Sequence, residues 1–124
     1  MAKRFNNAYN CLLLLILFVV MGSQNTIASL NVNGLNNKMK QLQLISFMKY
    51  HKISILLVQE HNIRDSNSIS QGLNDFCEII LNPAIAHKGG TAILIDRKLA
   101  FKIIHVEKSA NSRIISLKLI VFNK

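Results

Sequence analysis

Acidic side chains are the first thing this sequence is short of. Its 124 residues carry 15 lysines and arginines against 6 aspartates and glutamates, a formal net charge of +9. Setting aside Lys3 and Arg4 at the N-terminus still leaves 13 basic side chains against those 6. Such an excess concentrates polyanions near the surface, which points to nucleic acid or an anionic membrane as partner, with an ordinary solvated surface as the plain alternative. Cysteine is also scarce, with only Cys11 and Cys77. Cys11 lies in an apolar N-terminal run, so a product cleaved after that run could form no internal disulfide, and cysteine usage lends nothing to an extracellular history. The four histidines, His51, His61, His87 and His105, show neither HxH nor HExxH spacing, which argues against a zinc site. The uncharged run 11–21 falls short of the about 20 apolar residues that cross a bilayer, but matches the core of a secretory signal. There is no internal repeat, and the length allows one small domain. The expected division is a hydrophobic leader over 1–22, forming an N-terminal helix and open to membrane contact through residues 11–21, followed by a folded body over 23–124.

Within the body, the apolar stretch 27–30 stops at Asn31-Val32-Asn33-Gly34, where asparagines and a glycine favour a turn; this reads as a buried strand delivered into a loop. From Lys38 to Tyr50, Met39, Leu42, Ile45 and Met48 recur at helical spacing, widened by Leu44 and Phe47. Lys38, Lys40, Gln41 and Lys49 fill the other face, and Asn36 or Asn37 supplies the cap. The run 53–58 is apolar almost without interruption, as in a strand covered on both faces, and ends at Gln59-Glu60-His61-Asn62. Strand, helix, strand predicts a parallel pair whose C-terminal ends, at Asn31 and Glu60, emerge on one edge of a sheet. The Ser-rich stretch 64–71 reads as loop, 76–81 as strand up to the break at Asn82-Pro83, and 91–95, 101–106 and 113–122 as a meander. In its last member Ile115, Leu117, Leu119 and Val121 face one way.

Three segments in order carry a resemblance: Ala28-Ser29-Leu30-Asn31-Val32-Asn33-Gly34-Leu35, then Val58-Gln59-Glu60-His61-Asn62, then Gly89-Gly90-Thr91-Ala92-Ile93-Leu94-Ile95. Over about 27–122 the chain resembles the N-terminal part of LINE-type retrotransposon endonucleases, in the metal-dependent endonuclease/exonuclease/phosphatase superfamily. The resemblance implies an α/β fold, part of a DNase-I-like sandwich of two packed sheets flanked by helices. It also implies hydrolysis of DNA phosphodiesters with Mg2+ and no small-molecule cofactor.

Residue by residue, Glu60 matches the metal-binding glutamate after the second strand, and Asn31 the first-strand asparagine that contacts metal or phosphate. These two are the expected catalytic and metal positions. A hard cation such as Mg2+ takes one or two protein carboxylates and fills its octahedron with water and substrate phosphate, and an amide can bond a phosphate oxygen without repelling it. Read without the resemblance, Glu60 is a solvated glutamate beyond a strand and Asn31 a turn residue.

The YAPN-like, GDFN-like and SDH-like motifs that complete the family's catalytic set do not occur in this sequence. The expectation is therefore a truncated endonuclease fragment with no significant nuclease activity alone. Two alternatives stand beside it: a secreted DNase-I-like nuclease, and a membrane-anchored or basic nucleic-acid-binding module without catalysis. The leader suggests the secretory pathway or a membrane, unless it is flanking sequence read in frame, whereas the family suggests the nucleus. Among the remaining residues, His61 is expected at the surface, with the cleft rim as its other reading. Cys77 is expected to be small and buried. Lys38, Lys40, Lys49, Lys52, Lys88, Arg97, Lys98 and Lys102 form either a phosphate-facing patch or a scattered surface.

Overall fold

The computed structural model describes residues 19–21 and 25–122. Seven strands are present among them: β1 (Val19–Met21), β2 (Asn25–Asn31), β3 (Ile55–Gln59), β4 (Cys77–Asn82), β5 (Thr91–Asp96), β6 (Phe101–Lys108) and β7 (Ile115–Val121). Two α-helices join them, α1 (Lys38–Tyr50) and the short α2 (Gln71–Phe76), with a single 3-10 turn at Ser66–Ser68. The expected leader helix lies outside the described residues except at its end, where Val19–Met21 instead pair antiparallel with β2.

Five strands form one sheet in the order β1-β2-β3-β5-β4. The β2-α1-β3 unit is parallel, with Ile27 opposite Ile55 and Asn31 opposite Gln59, while β3-β5 and β5-β4 are antiparallel. The burial of each strand matches the place it takes. Ala92, Ile93, Leu94 and Ile95 of β5 are all buried, so this strand occupies an interior slot with both faces covered. In β6 and β7 burial alternates, which suits a ribbon packed by one face only. They form a separate two-stranded sheet, so the expected three-strand meander is corrected: β5 belongs to the large sheet and the hairpin to a second layer.

The large sheet therefore divides two cores. Ala28, Leu30, Leu56, Val58, Ala92 and Leu94 meet Leu44 and Met48 of α1 together with Leu73 of α2. On the opposite face Ile55, Ile80, Ile93 and Ile95 meet Phe101, Ile103, Val106, Ile115, Leu117 and Leu119 of the hairpin. The β6–β7 register shifts between Ile103 and His105, as at a β-bulge.

Helix α1 keeps its expected span, but its buried line differs. Gln41, Leu44 and Met48 face inward, whereas Met39 and Leu42 are 62% and 52% exposed. The cause is polar: Gln41 Nε2 donates to the carbonyls of Leu35 and Ser68, and its Oε1 accepts from the Ser70 amide. A buried side chain with three such bonds fixes the helix rotation more firmly than two methionine-sized apolar groups. Asn37 is the cap, accepting from the Met39 and Lys40 amides, and Asn36 donates to the Asn62 carbonyl instead. The stretch read as loop over 64–71 contains the 3-10 turn and leads into α2, which Ser70 caps through the Leu73 amide.

Candidate functional site

At the C-terminal ends of β2 and β3 the hydrogen-bond ladder continues past the strands into the loops. The Val32 amide donates to Gln59 O at 3.0 Å, Gly34 to Glu60 O at 2.7 Å, and Leu35 to His61 O at 2.7 Å. From the other side the Glu60 amide donates to Gly90 O at 2.9 Å and the Asn62 amide to Gly89 O at 2.8 Å. Asn62 Oδ1 accepts from the Gly89 amide, closing the contact. The segment 60–62 is thus clamped between the 32–36 loop and the Gly-Gly turn that opens β5.

This clamp forces unusual backbone. Asn33, Glu60 and Asn62 have φ of 50°, 56° and 61°, and Gly34 and Gly90 have 94° and 87°. Asparagine and glycine tolerate this region; glutamate is strained there by about 1–2 kcal/mol, and such strain collects at functional sites. Glu60 is exposed, and among the described residues its carboxylate has no hydrogen-bond or ion-pair partner.

An open groove of about 920 Å³ lies over this edge. Gln59, Glu60 and Asn62 form its floor, Lys88 to Thr91 one flank, and Asn111, Ser112 and Arg113 from the β6–β7 turn the other. One carboxylate therefore shares the groove with two cationic side chains, Lys88 and Arg113. That arrangement suits a phosphate-bearing ligand with a cation at the carboxylate.

Asn31 and Glu60 emerge on the same edge, from adjacent parallel strands. Their placement differs in depth. Asn31 is half-buried, and its Oδ1 accepts from the Asn33 amide at 3.1 Å, shaping the turn, while its cross-strand neighbour Gln59 lines the groove. Gln59 Nε2 in turn donates to Ser29 Oγ at 2.8 Å. No group of three His, Cys, Asp or Glu that could hold a metal occurs among the described residues. The donor set fits a cation resting on the single carboxylate of Glu60 and completing its coordination with water or phosphate, not one caged by protein.

His61 corrects an expectation, for it is fully buried. Its Nε2 lies 3.0 Å from Asn82 O and 3.1 Å from Thr91 O, both of which can only accept, so Nε2 carries the proton. Nδ1 accepts from the Ile63 amide at 2.8 Å, which makes the ring neutral. Burial pushes its pKa below the usual imidazole value, against the two carbonyl bonds that raise it. The ring packs on Gly90 so closely that a Cβ there would come within 2.2 Å of Cε1. Lys40 is also not a free surface cation: Nζ donates to Val32 O and Asn33 O and braces the turn after β2, and partial burial lowers its pKa.

No family model matches the chain. The fold, however, has a solved counterpart. An AP endonuclease from Archaeoglobus fulgidus superposes with a TM-score of 0.57 at 19% sequence identity, over 74% of this chain and 36% of that one. The architecture is accordingly a DNase-I-like α/β arrangement of two sheets with helices, as the resemblance implied. The chain spans about a third of that protein's length.

Sequence reasoning missed Gln59, Arg113, Asn111 and Asn82 as parts of this edge. The Asn82-Pro83 break gave a signal for a strand end there, but nothing in the spacing shows that the 109–113 turn folds back onto the end of β4 and the start of β5.

Proposed function

We propose that the groove binds a nucleic-acid strand through Lys88 and Arg113, with Mg2+ resting on Glu60, and that the chain is the N-terminal part of a DNA endonuclease of LINE type. The observation that supports this most directly is the strained, exposed Glu60 held at the same strand edge as Asn31, inside a groove flanked by two cations. In this reading Glu60 holds the cation, which supplies electrostatic stabilisation to a phosphodiester under attack. Gln59, whose Nε2 is taken by Ser29 Oγ and Leu57 O, offers its Oε1 to a metal-bound water, while Asn31, whose Oδ1 shapes the turn beside the groove, has its Nδ2 as the donor for a phosphate oxygen. The remaining phosphate-orienting and proton-transferring groups of such an enzyme are not supplied by this sequence, so the chain alone binds DNA without cutting it at a significant rate.

The test is fluorescence anisotropy with a labelled duplex oligonucleotide in Mg2+ and in EDTA, beside a plasmid-nicking assay. Binding that tightens with Mg2+, loses that dependence in Glu60→Gln, and is not accompanied by nicking is the expected result. Oligonucleotide affinity identical with and without the cation would overturn the metal assignment. It would favour the second reading, a basic nucleic-acid-binding module, which the net charge of +9 supports.

A further inference from the structure

Asn82 is the last residue of β4 and is only 5% exposed. It does not line the groove, yet it bonds to both sides of it. Its Nδ2 donates to Ser109 O at 3.2 Å and to Ile114 O at 3.1 Å, the two carbonyls at the base of the β6–β7 turn. Its own carbonyl accepts from His61 Nε2, and His61 is covalently next to Glu60. The same connection is reinforced beside it: Ser112 Oγ donates to the carbonyl of Pro83, Thr91 Oγ1 donates to Ser112 O at 3.4 Å, and Thr91 O is the second acceptor of His61.

The turn bearing Asn111 and Arg113 belongs to the two-stranded sheet, and the loop bearing Glu60 to the five-stranded one. Apolar contacts between the layers hold the hairpin by its inner face, but they are non-directional and do not fix how its tip sits against the end of β4 and the start of β5. Directional bonds to buried partners do fix it, and an unmade bond at either end leaves a buried polar group unsatisfied.

We infer that Asn82 and His61 are positioning residues that tie the cationic flank of the groove to its carboxylate floor, so that phosphate held at Arg113 and a cation held at Glu60 are energetically coupled. The functional half of this inference rests on the groove binding a phosphodiester with a cation; the mechanical half stands on the bonds alone. Asn82 suits the role because an amide can donate to two carbonyls at once, which aspartate cannot. His61 suits it because its neutral ring donates toward β4 and β5 while accepting from the Ile63 amide of its own loop.

Hydrogen exchange by mass spectrometry on the full chain, comparing wild type with Asn82→Asp, tests the mechanical half. Faster exchange in both 109–114 and 60–63, with α1 unchanged, is expected. Exchange that rises only in 109–114 overturns the coupling. Should Asn82→Asp not fold, His61→Ala and His61→Gln decide the matter: alanine frees both segments, and glutamine, which restores a donor toward Asn82 O, recovers protection in both. Failure of glutamine to recover either segment counts against the inference.

The functional half is read from Mn2+ titrations of duplex-oligonucleotide affinity. In wild type Mn2+ tightens binding, and in Asn82→Asp or His61→Ala that enhancement falls by about tenfold. A variant that melts at lower temperature yet keeps the full Mn2+ enhancement would show these residues to be structural only. If wild type itself shows no Mn2+ enhancement, the proposed function fails, and the exchange pattern still decides whether the two flanks are tied.

Discussion

Glu60 sets function against stability within one residue. Its φ of 56° is a conformation glycine adopts freely, so Glu60→Gly is expected to raise unfolding free energy by about 0.5–1 kcal/mol in denaturant titrations while abolishing cation-dependent binding. A destabilised variant would mean that the carboxylate itself supports the fold. Cys77 gives a pH signature of another kind. It is fully buried at the start of β4, and burial, reinforced by the Asp96 carboxylate and opposed by Arg97, pushes its thiol from 9.0 up to about 12. The unfolded chain therefore releases this proton at lower pH than the folded one. The stability linked to Cys77 is present in full below pH 9 and is lost progressively as pH rises from there toward about 12. Stability measured between pH 9 and 10.5 should fall less steeply in Cys77→Ala than in wild type. Buried cysteine was legible from the apolar run around it; buried His61 was not, because nothing in Glu60-His61-Asn62 says that the chain turns the ring inward under Gly90.

Among the elements, α1 shows what hydrophobic periodicity can and cannot tell. Its cap was legible only as one of two asparagines, Asn36 or Asn37, of which Asn37 serves, while its span, thirteen residues free of proline and glycine, follows from the sequence. Its rotation does not, because the apolar residues surround enough of the helix to permit several faces and the choice falls to one glutamine. Gln41→Leu restores the apolar stripe that the pattern suggests, and leaves the Leu35 and Ser68 carbonyls and the Ser70 amide without this partner. We expect it to cost about 3 kcal/mol in chemical denaturation, against less than about 0.5 kcal/mol for Leu42→Gln on the exposed side. The parallel β2-α1-β3 unit was legible for a stronger reason: a crossover helix between two buried strands admits essentially one handed arrangement. The hairpin's departure from β5 was hidden because alternating strands read alike whether they extend a sheet or cover it.

For the whole molecule the controlling quantities are charge and layering. If groove cations carry the binding, oligonucleotide affinity falls with rising salt, and Arg113→Ala weakens it at low salt while reducing the slope of log K against log salt by about one. An unchanged slope would put Arg113 outside the phosphate path and shift attention to the lysines of the outer surface. The layering has a further consequence through β5, which feeds Ala92 and Leu94 to the helical side and Ile93 and Ile95 to the hairpin side. Inserting or deleting one residue within 91–96 would exchange those two sets at a stroke, sending isoleucines against α1 and small or flexible groups against the ribbon. Length variation in this protein's lineage should then avoid this strand, whose parity keeps the two halves of the molecule assigned to their proper sides.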